Sequence, residues 1–266
     1  MWNEALAGIQ THLITTTRAS ALKIVAELPQ GIGGPLSPKM DHLVCFLPGA
    51  IALGATGGHT LSHARTQPEW TPAKESQIQL ARDLMKTCWG MYAVTLTGLA
   101  PEIAWFDAAE EDLRPRPGDR LPPRRTRDSL GKWREDFVIK PLDAHNLQRP
   151  ETVESLFVMW RVTGDPVYRE WGWKIFRGFM EWTNAGLDRG FASVGDVNAV
   201  PPPLRDNMES FWLVSSLVLL VLRVLIVLIW RRCLDRPGWL TDWGCAGRDA
   251  QVSVPALLAG RLYPAA

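Results

Sequence analysis

The stretch His145-Asn146-Leu147-Gln148-Arg149-Pro150-Glu151-Thr152-Val153-Glu154-Ser155-Leu156-Phe157 decides how this chain is to be read. Pro150 suits the first turn of a helix, where a missing N–H costs nothing. Beyond it Val153, Leu156, Phe157 and Trp160 recur at spacings of three and four. That period is close to 3.6, and it predicts an amphipathic helix over 151–162. Glu151 and Glu154 stand three apart and therefore share one face at the N-terminal end. Helix N-termini favour carboxylates electrostatically. The pair reads either as an ordinary helix-start charge pattern or as carboxylates set at the mouth of a cavity.

Working outward, the same period returns in 2–13 (Trp2, Ala5, Leu6, Ile9, Leu13) and in 79–92 (Leu80, Leu84, Cys88, Met91, Tyr92). His12, between Ile9 and Leu13, reads as a partly buried structural histidine. Asp165-Pro166 reads as an N-cap followed by proline at the first helical position, opening a helix with Tyr168, Trp171, Ile175 and Phe179 on one side. Pro48-Gly49 is expected to bend or end a helix within the apolar run 43–53. Strand alternation is scarce, so the predicted class is all-α.

Composition narrows the function. The 266 residues are 46% apolar and 21% charged with a net charge of +1, which fits a globular chain and argues against a nucleic-acid binder. Thirteen Trp suit either a large core or stacking platforms for sugars, and the core reading weighs more. Residues 108–136 carry eight basic and seven acidic residues with four prolines, and read as a solvated insertion loop. Residues 211–230 are apolar except for two serines and Arg223, long enough to span a bilayer. The central Arg would cost roughly 2.5–3.5 kcal/mol on insertion, and a buried helix is the alternative. The N-terminus lacks a basic region followed by an apolar core and does not read as a signal peptide.

Four loop-to-helix junctions each bear an acid: Asp41, Glu102, Glu151 and Glu209. Together they suggest one ring of carboxylates, suited to a hard cation or to sugar hydroxyls. His59 and His63 lie four apart without the intervening Glu of a zinc helix and read as loop histidines. The four cysteines contain no C-x-x-C pair, which sets a structural zinc site aside and leaves disulfides or free thiols open.

The segments KMDHLVCFLPGAIALGA (39–55), TGLAPEIAWF (97–106), HNLQRPETVESLF (145–157), VTGDPVYREWGW (162–173) and RDNMESFWL (205–213) resemble the class I α-1,2-mannosidases, glycoside hydrolase family 47, of the endoplasmic-reticulum type. The resemblance implies a partial catalytic domain over 1–213, an incomplete (α/α)7 barrel with long loops, and a divergent tail over 214–266. It implies a calcium-dependent inverting hydrolase trimming mannose from high-mannose N-glycans. By matching motifs, Glu151 takes the general-base position. Glu102, Arg149 and His42 fall on substrate-binding positions. Glu154 and Glu209 match acids that hold the waters of the calcium ion, and Cys45 and Cys88 match a disulfide pair. The implied location is the endoplasmic reticulum or Golgi lumen, and the apolar run 211–230, read from its own composition, leaves membrane association open. A non-catalytic mannose-glycan-binding relative in glycoprotein quality control is the alternative. The family's general acid, a second catalytic Asp and its calcium-binding Thr have no counterpart in the matching segments, so the chain by itself is expected to release little mannose.

Overall fold

The helices form where the apolar period places them. A computed structural model of the chain describes residues 1–108, 133–186 and 189–213. Helix α1 spans Trp2–His12, and the short strands β1 (Ile14–Thr16) and β2 (Lys23–Val25) pair antiparallel behind it. Strand β3 (Lys39–Asp41) runs into a 3-10 turn (His42–Phe46), then helices α2 (Leu47–Thr56), α3 (Leu61–Ala64) and α4 (Pro72–Ala93). Strand β4 (Ile103–Phe106) follows. A second 3-10 turn (Trp133–Asp136) leads to β5 (Phe137–Val138), α5 (Glu151–Thr163), α6 (Val167–Trp182) and the pair β6 (Asn184–Gly186) and β7 (Gly190–Phe191).

Helix α4 is the spine. Thr71 caps it by accepting the Lys74 N–H, Pro72 occupies its first turn, and Ile78, Ala81, Leu84, Met85, Cys88, Met91 and Tyr92 are buried along it. Helix α2 packs on α4 and α5, and α5 packs on α6. Two glycines permit close approaches around α2 and α4. A Cβ on Gly49 would lie 3.0 Å from Ser155 Cα, and one on Gly90 would lie 2.6 Å from Phe137 Cζ. The Ser155 hydroxyl exploits the first contact. It donates to the Cys45 carbonyl and accepts the Gly49 N–H at 3.0 Å, joining α5 to the start of α2. Trp89 stacks on Trp171 at 5.4 Å across α4 and α6, so these tryptophans serve packing.

The helical class holds, but three small antiparallel sheets accompany the helices. Strands of two to four residues carry too few alternations to be told from loop by period alone. The β3–β4 register sets Asp41 opposite Ile103 and Met40 opposite Ala104. Pro48 neither ends nor bends a helix. It lies in the first turn of α2, where its missing N–H is harmless. Pro166, not Asp165, is the N-cap of α6, while Asp165 Oδ1 accepts the Val167 N–H from just outside.

The loop expected over 108–136 is shorter at both ends. Ala108 bridges to Thr17 and is buried, and Arg134 and Asp136 are buried as well. The remainder of that expectation, 109–132, lies outside the described residues, as do Cys233, Cys245 and the apolar segment beyond Leu213. Trp212 is fully buried against Phe179 and Phe191, so the start of 211–230 packs into the protein core. Among the described residues no helix is long and apolar enough to cross a membrane.

The Cys45–Cys88 disulfide is present, with Cα atoms 5.7 Å apart, and ties the 3-10 turn to α4. It closes a loop with a sequence separation of 43, and removing it with a Cys45→Ser, Cys88→Ser pair should cost about 2–4 kcal/mol by urea unfolding. Gly49→Ala should destabilise by about 1–3 kcal/mol, because α2 and α5 must part. Gly8→Ala is the control. Nothing lies within 4 Å of its Cβ, and it should raise stability by about 0.4–1 kcal/mol in the same assay.

Candidate active site

Two strand ends bring the first site residues together. Because Asp41 pairs with Ile103, His42 and Glu102 leave the same edge of the sheet, and the His42 N–H donates to the Glu102 carbonyl at 2.8 Å. Glu102 is buried, and both carboxylate oxygens are engaged. Oε1 accepts the Leu147 N–H at 3.0 Å, and Oε2 accepts Nε of Arg149. Arg149 also lies over the Phe211 ring at 5.4 Å. Burial alone would lower the Arg149 pKa, but the Glu102 hydrogen bond and charge, with Glu151 and Glu209 beyond, carry it above the usual value. Those carboxylates therefore gather around one guanidinium.

Glu151 opens α5, directly after Pro150. Its Oε2 accepts from His42 Nδ1 at 3.1 Å. Burial pushes its carboxyl up, but the His42 hydrogen bond, the backbone N–H at the helix start and the Arg149 charge outweigh it. Its pKa ends below the usual carboxylate range. Glu154, on the next turn, goes the other way: burial and then the Glu151 charge raise it. One face of one helix thus holds two carboxylates with opposed proton affinities, an arrangement suited to proton handling.

His42 itself is 2% exposed, and both ring nitrogens meet protein groups. Nε2 lies 2.7 Å from the Tyr92 hydroxyl and 3.0 Å from Thr152 Oγ1. Tyr92 and Thr152 are fully buried, and neither was singled out from sequence for a role at the site. Tyr92 stood in the apolar stripe of α4. The signal was its hydroxyl, since a buried Tyr O–H requires a partner.

Glu209 accepts from Asn207 at 3.3 Å. Asp41 instead faces Lys39, 3.3 Å away, which Glu27 also approaches. His59 and His63 lie together with ring centroids 4.8 Å apart and accompany no acidic cluster in the described residues. Among those residues no group of three or more His, Cys, Asp or Glu is arranged to hold a metal ion. Protein donors engage both oxygens of Glu102 and one of Glu151.

The model of glycosyl hydrolase family 47 matches residues 1–218. The chain belongs to that family. It is 44% identical over 230 residues to a mannosyl-oligosaccharide 1,2-α-mannosidase of Candida albicans, covering 84% of this chain and 37% of that protein. It is 41% identical over 220 residues to the endoplasmic reticulum mannosyl-oligosaccharide 1,2-α-mannosidase of Homo sapiens, covering 82% of this chain and 26% of that protein. The family 47 chain thus spans about a third of the length of the curated relatives it matches. Its fold resembles that of an α-1,2-mannosidase from Trichoderma reesei, with a TM-score of 0.66 and 23% identity over 84% of this chain and 40% of that one.

The opposed carboxylates set a pH test. The lowered Glu151 pKa adds stability that is fully present above the ordinary value of about 4.3 and is lost as pH falls through the folded value. Glu151→Gln should cost about 1.5–3 kcal/mol at pH 7. The raised Glu154 pKa has the opposite sign. Glu154→Gln should stabilise at pH 7, with the gain fading once pH drops below the ordinary carboxylate value. Urea titrations at pH 7 and pH 3.5 check both.

Proposed function

We propose that this chain carries the base-bearing part of an inverting α-1,2-mannosidase site that acts on high-mannose N-glycans. The single observation behind the reading is Glu151. It is a carboxylate of lowered pKa, partly open at 15% exposure, held from behind by His42 and flanked by Arg149 and Glu102. Inverting hydrolysis places a base carboxylate and an acid roughly 6.5–9.5 Å apart with a water between base and sugar. Glu151 takes the water proton as the water oxygen bonds to the anomeric carbon. The glycosidic bond breaks, and its oxygen takes a proton from an acid that none of the residues named above supplies. Arg149 and Glu102 form the polar wall against which the sugar hydroxyls bind.

Glu154 and Glu209 are proposed as acceptors for calcium-bound water, and no step runs through the ion. The proposed frame is an incomplete (α/α)7 barrel over 1–213, distinct from the tail over 214–266. The curated relatives are named as mannosidases, which favours hydrolysis over a purely glycan-binding role. The endoplasmic reticulum lumen fits the names of several relatives and suits the disulfide.

The test compares a high-mannose N-glycan with the same glycan already trimmed of its α-1,2-mannose, using saturation-transfer NMR on the purified chain with added calcium. The untrimmed glycan should bind and the trimmed one should not. Arg149→Ala should weaken binding at least about tenfold, the loss of one charge-assisted contact. Glu151→Gln should leave binding within about threefold, because the base acts on water and not on the sugar. Equal binding of both glycans, or none of either, would overturn the proposal.

A further inference from the structure

Sequence motifs place His42 among the residues that touch sugar, yet its side chain faces inward. The imidazole is 2% exposed and sits between two layers of the protein. On one side Nδ1 meets Glu151 Oε2 at 3.1 Å. On the other Nε2 meets the Tyr92 hydroxyl at 2.7 Å and the Thr152 hydroxyl at 3.0 Å. A carboxylate is acceptor-only, so the nitrogen facing Glu151 must carry hydrogen. A neutral imidazole then has a bare Nε2, which needs a donor. Tyr92 supplies it. Its phenol is fully buried, and burial drives its pKa well above the usual range, with only the Thr152 hydroxyl pulling the other way, so it keeps its proton. Thr152 in turn hydrogen-bonds the Tyr92 oxygen.

The row Thr152–Tyr92–His42–Glu151 superficially matches a hydroxyl–imidazole–carboxylate triad of the nucleophilic kind. Burial excludes that chemistry here. Tyr92 and Thr152 have no exposed surface, and only the Glu151 end opens outward. The polarity of the row therefore runs toward the carboxylate. His42 also cannot drift. Its backbone N–H is tied to the Glu102 carbonyl, and three residues on, Cys45 is bonded to Cys88, one helical turn before Tyr92 on α4. One disulfide thus sets the spacing between the imidazole and the phenol that orients it.

We infer that His42 is a positioning residue for Glu151, locked in its Nδ1–H tautomer by Tyr92, so that Oε2 is pinned and Oε1 is the oxygen that receives the proton of water. This deepens the mannosidase reading and rests on it for the identity of the water. The pinned carboxylate itself is a property of the chain and can be tested without sugar. His42 lowers the proton affinity of Glu151 while fixing its direction, as metal-ligating and catalytic histidine–carboxylate pairs do when one partner orients the other.

The experiment is 15N NMR of the purified chain with labelled histidine, which distinguishes a protonated ring nitrogen from a bare one. His42 should show a single tautomer with hydrogen on Nδ1. Tyr92→Phe keeps the ring and removes the hydroxyl, and should shift the resonance of the bare Nε2, which loses its donor, while circular dichroism stays unchanged. Glu151→Gln should shift the Nδ1 resonance. His42→Ala should raise the pH at which the Glu151 carboxylate titrates by NMR, and His42→Asn, which keeps an N–H donor near the place of Nδ1, should restore part of the wild-type value. Hydrogen on Nε2 in the wild-type chain, or a spectrum indifferent to Tyr92→Phe, would overturn the inference. A single Nδ1–H tautomer in a chain that fails to bind high-mannose glycan would uphold the pinned carboxylate and overturn the mannosidase reading alone.

Discussion

The 3-10 turn His42–Phe46 is held from three directions, and the rest of the site depends on that hold. From the sheet, the Glu102 carbonyl takes the His42 N–H. From α4, Cys88 is bonded to Cys45. From α5, the Ser155 hydroxyl donates to the Cys45 carbonyl, while Gly49 approaches Ser155 so closely that a Cβ would lie 3.0 Å from it. A 3-10 turn has few internal bonds and poor geometry by itself. Here its neighbours determine its position, and His42 inherits that precision. The same turn carries the chain from a sheet edge into a helix, so the imidazole lies where strand, spine helix and α5 meet.

This arrangement gives physical content to the pairing of two sequence motifs. The stretch holding His42, Cys45 and Gly49 and the stretch holding Glu151, Thr152 and Ser155 are more than a hundred residues apart, yet each contributes to one contact surface. Ser155 joins the backbones and Thr152 completes the polar row. Glu151 faces the open side, and Glu154 stands one turn further along with the opposite shift in proton affinity. A helix whose first turn is anchored this tightly can hold a partly buried carboxylate in one orientation. An exposed carboxylate on a mobile loop would lose that orientation to side-chain entropy.

Much of the helical frame was legible in the sequence. The period of Val153, Leu156 and Trp160, and that of Leu80, Leu84 and Cys88, marks α5 and α4 because a 3.6-residue repeat has no strand counterpart. Pro150 beside Glu151 marks the helix start for the same local reason. The strands were not legible. Lys39–Asp41 and Phe137–Val138 are too short to carry a pattern, and their pairing is a long-range event. A proline has two local meanings, helix breaker and first-turn residue, and the position of Pro48 at the start of α2 is the second.

The sequence by itself determined which residues could bear charge chemistry and on which helices they sit: Glu151 and Glu154 on one face, Arg149 just before them, Glu102 at a junction. Periodicity and helix-end electrostatics are local, and local rules need no partner. Tertiary structure alone decided what each group is worth. Burial and neighbours lowered one glutamate and raised the other three residues away, and turned Asp41 toward Lys39. They also moved His42 from the open face to the layer behind it, against Tyr92. Proton affinity and hydrogen-bond direction depend on the dielectric and on atoms within a few ångströms, and those atoms come from distant parts of the chain.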